Sequence, residues 1–464
     1  MSTEDLHDRS ALEQAALVRD GALSSEELVR HYLERIDRLN PKLSAFVSVF
    51  PERAIRAARK KDSERRRAHE TLAPFHGVPI GIKDLNVVRW MPTRWGLRQR
   101  LLPTLPVDDL TVAPLRRAGF VIVGKLAASE LGVMPVTEPD IHPPTRNPWA
   151  PEHSSGGSSG GSGGAVAAGM LPVAQGSDGF GSIRIPAAFC HLVGLKASRG
   201  RIRNQFGLRD RQILYTSGAL TRTVDDTAAM LDVMAGIDSG KMHWAPPPVR
   251  PFRELAREEP RRLKIHFTTH SPVGPTHPEI AAAVEGAARL LSELGHDVDE
   301  GPSPNGTLAE VLPLVQHMVG HIPFVRKSRV QPITRMLMEA GRPLRAGDIE
   351  AIQAELTERF RALLETAEVW LTPTVTQPAP LVGAYRDLPP EEGFAAAAQY
   401  GAFTALFNIN GQPAINVPLG LTGDGLPMGL QLAGAMFAEG ELLALAHQLE
   451  DAMPWRDRHP PALL

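Results

Sequence analysis

Apolar positions in the first seventy residues recur at helical spacing. After Ser24-Ser25-Glu26-Glu27, a capping-box pattern, Leu28, Tyr32, Ile36 and Leu39 follow at i, i+4, i+8 and i+11. Residues 5–69 therefore read as helical. From residue 77 the pattern changes: short apolar runs at 78–82, 112–118, 120–123 and 171–174 alternate with helical stretches, which predicts an α/β sheet with packed helices. Beyond them, 263–267 reads as a strand, 278–294 and 349–367 as amphipathic helices, and 369–373, 414–417 and 428–432 as further strand-like runs. Residues 245–260, three prolines followed by a charged run, are the best linker candidate, although a surface loop within one domain has the same composition. No repeat at a fixed period is present.

Composition narrows the function classes. With 464 residues the chain is long enough for a sizeable core, and a formal net charge of −2 gives no global electrostatic case for nucleic acid or an acidic membrane. One cysteine excludes an internal disulfide framework and a cysteine-based metal centre. The N-terminal residues lack a basic stretch followed by an apolar one, and no run of 18 apolar residues occurs, so the expectation is a cytoplasmic protein without a membrane span. The glycines are unevenly spread: residues 151–200 hold 12 of the 41.

Much of that excess lies in 153–169, His-Ser-Ser-Gly-Gly-Ser-Ser-Gly-Gly-Ser-Gly-Gly-Ala-Val-Ala-Ala-Gly. Its composition alone suits a flexible linker. The core-like sequence that follows, 170–196, argues against a domain junction, and no G-x-x-x-x-G-K-[ST] pattern supports a phosphate loop. The third reading is a catalytic loop, in which small residues let backbone N–H groups crowd around an oxyanion beside a nucleophile. Gly176-Ser177-Asp178-Gly179-Phe180-Gly181-Ser182 fits it.

These segments resemble the amidase signature family. The likeness runs through Gly77-Val78-Pro79-Ile80-Gly81-Ile82-Lys83-Asp84, Thr145-Arg146-Asn147-Pro148-Trp149, Gly156-Gly157-Ser158-Ser159-Gly160-Gly161-Ser162, residues 176–186 and Val193-Gly194-Leu195-Lys196. It continues through Leu371-Thr372-Pro373-Thr374, Asn410-Gly411-Gln412-Pro413-Ala414 and 425–431, covering nearly the whole chain. Val136-Thr137-Glu138-Pro139, Ser271-Pro272-Val273-Gly274 and Pro454-Trp455 are similar to the branch of 6-aminohexanoate cyclic dimer hydrolases. The resemblance implies an α/β fold with a central mixed, twisted β-sheet covered by helices on both faces. It divides the chain into an N-terminal helical layer (1–69), a signature core (70–240) and a C-terminal part (241–464) completing the same sheet.

It also implies a Ser–cisSer–Lys triad in which Ser182 is the nucleophile, Ser158 the bridging serine after a cis peptide, and Lys83 the base. On its own, Lys83 reads as a strand-end lysine paired with Asp84. A serine hydroxyl needs a neighbour to take its proton, and a lysine can do so only when burial lowers its pKa from about 10.4. The backbone N–H groups of Gly179, Phe180, Gly181 and Ser182 are the expected oxyanion hole. Asp178 and Arg184 are expected to fix the loop. Phe180 stands where the family most often has glycine, and it is expected to wall the acyl side of the pocket. Met134, Ser159 and His317 are further candidates for substrate binding, with Ser159 and Ser162 also suited to local loop hydrogen bonds.

The implied activity is hydrolysis of a small, largely apolar or cyclic amide through an acyl-enzyme, with no cofactor and no metal. His317 and His321 have the i, i+4 spacing of a metal pair, but no acidic third ligand follows, so packing or pocket lining is expected of them. Cys190 reads as a small buried hydrophobe, and residues 199–203 as a solvated basic loop. The expected partner is the amide substrate, with no nucleic acid and no membrane; a homodimer is plausible. Two alternatives remain. A glutamine-hydrolysing amidotransferase subunit would carry a Tyr-Asp-Gly-x-Arg motif, absent from 300–400, and an acidic residue where Gly401-Ala402 stands. A non-catalytic binding protein of this fold is expected to have lost the lysine or a serine, and all three are present.

Overall fold

The computed structural model describes residues 3–67, 72–203, 214–235, 245–304, 306–323 and 325–461. The expected division points, 69/70 and 240/241, lie outside them. Among the described residues one sheet contains β1 (Phe46–Val49), β2 (Pro79–Lys83), β3 (Val121–Leu126), β4 (Ala174–Asp178), β5 (Val193–Lys196), β6 (Thr216–Thr221), β7 (Lys264–Phe267), β8 (Asp297–Glu300), β9 (Val369–Pro373), β10 (Ala414–Leu421) and β11 (Pro427–Gly434). Their spatial order is β1-β3-β2-β4-β6-β5-β10-β11-β9-β7-β8. The sheet is mixed: β2 runs parallel to β3 and β4, and β7 parallel to β8 and β9, while the other pairs are antiparallel.

Strand alternation sends successive side chains to opposite faces. Ile122 and Ala219 join one apolar core, with residues of the helices Ala11–Asp20, Val224–Met234, Pro278–Glu293 and Glu439–Ala452. Their neighbours Val121, Val123 and Leu220 join a second core, with residues of the helices Pro51–Arg67 and Gly160–Ala167. The helix Ser25–Leu43 serves both, sending Leu28 and Tyr32 to the first and Ile36 and Leu39 to the second. Its start is the expected capping box: Ser24 Oγ accepts from the Glu27 N–H and Glu27 returns to the Ser24 N–H.

Several sequence expectations need correction. The run 112–118 is not a strand but the helix Val112–Arg117, whose first turn donates to Asp109 Oδ1 from the N–H groups of Thr111 (2.9 Å) and Val112 (3.1 Å). Its buried residues, Val112, Leu115 and Ala118, fall at helical spacing. The strand expected at 171–174 begins only at Ala174, and the helical reading of 5–69 omits β1. The basic cluster 199–203 is not simply solvated: Arg201 is buried, pairs with Glu439 at 3.1 Å and lies over the rings of Phe252 and Phe437. Phe252, in the linker candidate, is itself buried in the first core.

The glycine-rich segment forms the helix Gly160–Ala167, pressed against backbone. A Cβ on Gly161 would sit 2.6 Å from the Ala127 carbonyl oxygen and also meet the Ala45 carbonyl oxygen, neither of which can swing aside. Gly161→Ala is expected to cost about 2–3 kcal/mol or more, within and above the usual range for overpacking. The fall in urea midpoint at unchanged m-value measures it.

Candidate active site

Parallel pairing of β2 with β4, with Gly81 level with Ala174, brings Lys83 and Ser177 to the same, C-terminal, end of these neighbouring strands. The long segment between β3 and the helix Gly160–Ala167 brings Ser158 to Lys83. Lys83 is fully buried, and its Nζ donates to Ser158 Oγ (2.7 Å), Ser177 Oγ (3.1 Å) and the Ser177 carbonyl (3.2 Å). Burial lowers the Lys83 pKa to about 7, against the pull of the Asp178 charge, which raises it. Asp84 is not its partner: Asp84 pairs with Lys125 at 2.9 Å, both buried.

The Gly157–Ser158 peptide is cis. Glycine is needed at 157 because a Cβ there would lie 2.6 Å from the Met134 carbonyl oxygen, and at 156 because φ is 86°. Gly132 flanks Ser158 from the other side, its Cβ position 3.4 Å from Ser158 Oγ.

Ser182 ends a loop organised by Asp178. That fully buried carboxylate accepts from the backbone N–H groups of Gly181 (2.7 Å), Ile183 (3.1 Å) and Arg184 (3.4 Å). It also takes two guanidinium bonds from Arg184, 2.9 Å each, and one from Asn408 Nδ2 at 3.0 Å. Burial pushes the Asp178 carboxyl up, but Arg184 and these donors outweigh it and hold it below the usual carboxylate range. Arg184 is fixed in turn by Gln431 Oε1 and Asn408 Oδ1, both at 2.6 Å. The loop-fixing role expected of Asp178 and Arg184 matches these contacts.

Two expected assignments change. The Gly181 N–H is already bonded to Asp178, so of the four N–H groups expected to face an oxyanion this one is occupied. Ser159 is fully buried, and its hydroxyl donates to the Ser177 carbonyl (3.1 Å) and accepts from the Ser177 N–H (3.3 Å), so it ties the turn to β4 instead of facing a substrate. Ser162 likewise donates to the Gln175 carbonyl at 2.8 Å. Ser182 is partly exposed, and among the described residues its side chain is not hydrogen-bonded. The left-handed backbone in this loop falls on Gly181 (φ 123°) and not on Phe180, so the bulky residue at 180 needs no strained angle.

The Phe180 ring packs between two apolar groups, one containing Met134, Val315 and Leu337, the other Leu314, Phe360 and Leu406. His317 is half-buried on the helix Leu308–Gly320, its ring 4.2 Å from that of His321, and burial lowers its pKa. Among the described residues no group of three or more side chains able to hold a metal comes together. Cys190 is buried in the second core, and burial pushes its thiol up.

Sequence reasoning missed Ser177, a direct partner of Lys83, and Thr404, whose hydroxyl donates to the Phe180 carbonyl at 2.7 Å. The parallel register of β2 and β4 is the signal for Ser177. Thr404 has none, because its partner lies 224 residues away.

The sequence model of the Amidase family matches residues 27–443. The chain belongs to this family, the amidase-signature hydrolases of amide bonds. It is 36% identical to the 6-aminohexanoate-cyclic-dimer hydrolases of Pseudomonas sp. (strain NK87) and Paenarthrobacter ureafaciens, over 100% of this chain and 98% of each relative. The solved structure of a 6-aminohexanoate cyclic dimer hydrolase complexed with substrate is 33% identical, with a TM-score of 0.89 over 99% of this chain and 100% of that one. Among the described residues no helix is long and apolar enough to cross a membrane.

Replacing Arg184 by methionine leaves the buried Asp178 carboxylate without its cation, which is expected to cost about 3–5 kcal/mol. Because the folded-state pKa of Asp178 is depressed, the stability that Arg184 supplies is present above about pH 4 and fades as pH falls below it. Urea denaturation of parent and variant at pH 7 and at pH 3 should show the gap closing at the lower pH.

Proposed function

We propose that the chain hydrolyses the C–N bond of a small, largely apolar or cyclic amide through an acyl-enzyme on Ser182. Ser182 Oγ attacks the carbonyl carbon while its proton passes to Ser158 and from Ser158 to neutral Lys83. Collapse of the tetrahedral intermediate breaks the C–N bond, and the proton returns by the same route to the leaving amine. Water then attacks the acyl-serine with the same proton transfers, releasing the acid and restoring Ser182. The N–H groups of Gly179, Phe180 and Ser182 stabilise the oxyanion.

One observation carries this reading: a fully buried lysine, its pKa near 7, within 2.7 Å of Ser158 Oγ. A proton acceptor must be neutral at working pH and within hydrogen-bond reach of the hydroxyl whose proton it takes. The apolar setting of Phe180 and Met134, with the similarity to hydrolases of an aliphatic cyclic amide, supports the substrate class. The absent glutamine-binding motif counts against an amidotransferase subunit, and retention of Lys83, Ser158 and Ser182 counts against a binding protein without activity.

A serine-directed fluorophosphonate should label the parent and not Ser182→Ala; label persisting in the variant removes Ser182 as nucleophile. Because Lys83 must be deprotonated to work, kcat/KM should fall about tenfold per unit as pH drops below about 7 and level off above it. Lys83→Ala should lower kcat by about a hundred- to ten-thousand-fold, the usual contribution of a positioned base, and abolish that pH limb.

A further inference from the structure

Residues 129–134 cover the cis turn that carries Ser158. The Ser129 N–H donates to the Ser158 carbonyl (3.3 Å), and the Cβ position of Gly132 lies 3.4 Å from Ser158 Oγ. At the far end of the stretch, the Met134 carbonyl oxygen lies 2.6 Å from the Cβ position of Gly157. The stretch is also closed on itself: the Met134 N–H donates to Ser129 Oγ (3.3 Å) and the Gly132 N–H to the Ser129 carbonyl (3.0 Å). Within it sits Glu130, a buried carboxyl that the proton relay does not use.

Glu130 Oε1 accepts from the Gln331 N–H at 2.8 Å, and the Thr334 side chain is a second partner of the carboxyl. Gln331 is the N-cap of the helix Pro332–Gly341, and its own side chain makes no capping bond. In a capping box the third helical residue is a glutamate whose carboxylate bonds the N-cap N–H. Here that residue is Thr334, and Glu130 supplies the carboxyl from 201 residues away. Burial raises the Glu130 pKa to about 7, and both of its forms offer an oxygen to that N–H. The helix is itself held by packing, with Leu337 and Met338 in the same apolar group as Leu131 and Met134.

We propose that Glu130 is a positioning residue for the bridging serine: anchored on the first turn of the helix Pro332–Gly341, it holds residues 129–134 against Ser158 and so keeps Ser158 Oγ within reach of Lys83. This rests on the acyl-enzyme reading above. Glu130 touches no reacting atom and acts through the Ser129 N–H and Gly132. Without its bond to Gln331 the stretch loosens, and Ser158 no longer stays in line between Ser182 and Lys83. Two kinds of leaving group feel this unequally. Breaking a C–N bond requires the proton to return through Ser158 to the amine, whereas p-nitrophenolate leaves as an anion. Displacement of Ser158 therefore slows an amide more than a p-nitrophenyl ester of the same acid.

The test is the ratio of kcat/KM for hexanamide to kcat/KM for p-nitrophenyl hexanoate, which share an acyl group, with each rate counted per site labelled by the fluorophosphonate. Glu130→Ala should lower this ratio about ten- to a hundredfold, the scale of a small misplacement at reacting groups. Glu130→Gln, which keeps an oxygen for the Gln331 N–H, should stay near the parent. Gln331→Pro removes the same bond from the other side: Gln331 has φ −61° and Val330 is extended (ψ 157°), so proline fits the existing backbone. It should lower the ratio as Glu130→Ala does. Gln331→Ala gives up the same side-chain bonds to Glu138 and Asp140 but keeps the N–H, and should leave the ratio unchanged. A fold that is merely less stable lowers both rates together; an unchanged ratio in Gln331→Pro therefore overturns the inference, as does a Glu130→Gln ratio as low as that of Glu130→Ala. A parent that cleaves neither substrate, or cleaves them without Ser182, overturns the acyl-enzyme reading and this inference with it.

Discussion

A carboxylate with no access to water has to be answered by donors on every side, and around Asp178 several of those donors belong to the loop that carries Ser182. The N–H groups of Gly181, Ile183 and Arg184 turn inward to one side chain, so the backbone between 178 and 184 has little freedom to take another path. The same negative charge acts on Lys83, opposing the effect of burial on its amine. Burial remains the larger effect, so the amine lies well below the ordinary lysine range. One buried group thus sets the shape of the loop and partly offsets the lowering that burial imposes on the lysine.

Close approach of backbone is the second requirement, and it explains the glycines that first drew notice. Gly157 and Gly161 lie where a methyl group would strike carbonyl oxygens, and Gly156 and Gly181 where the chain turns through positive φ. The serines between them have two uses. Ser159 and Ser162 knit the turn to β4, while Ser158 faces Lys83. A composition that suits a flexible tether is here buried and fixed, because its hydroxyls and N–H groups find partners within the sheet.

Much of the fold was legible from the chain. The capping box at Ser24, the apolar spacing through Leu39 and the runs in β2, β9, β10 and β11 translate directly into elements, because each is set by neighbours in sequence. The run 112–118 misled, since a short apolar stretch has no period of its own and Asp109 decides the matter by capping a helix. β8, Asp-Val-Asp-Glu, escaped notice because an edge strand with exposed side chains needs no apolar pattern. At the site, Lys83, Ser158 and Ser182 stood out by motif, but the occupation of the Gly181 N–H and the burial of Arg201 depend on how the chain folds back. Arg201 is buried against groups distant in sequence, among them Glu439, 238 residues away.

Part of what holds the loop 178–184 comes late in the chain. Lys83, Ser158, Asp178 and Ser182 precede Thr404, Asn408 and Gln431, and it is these last three that hold Phe180 and Arg184 in place. As the polypeptide is synthesised from its N-terminus, Lys83, Ser158 and Ser182 therefore emerge long before the last of the groups that shape their surroundings. The full set of contacts around the loop needs Gln431, on the strand β11 that pairs with β10 and β9. A chain that stops short of Gln431 holds all three side chains but not every contact that surrounds them in the finished fold.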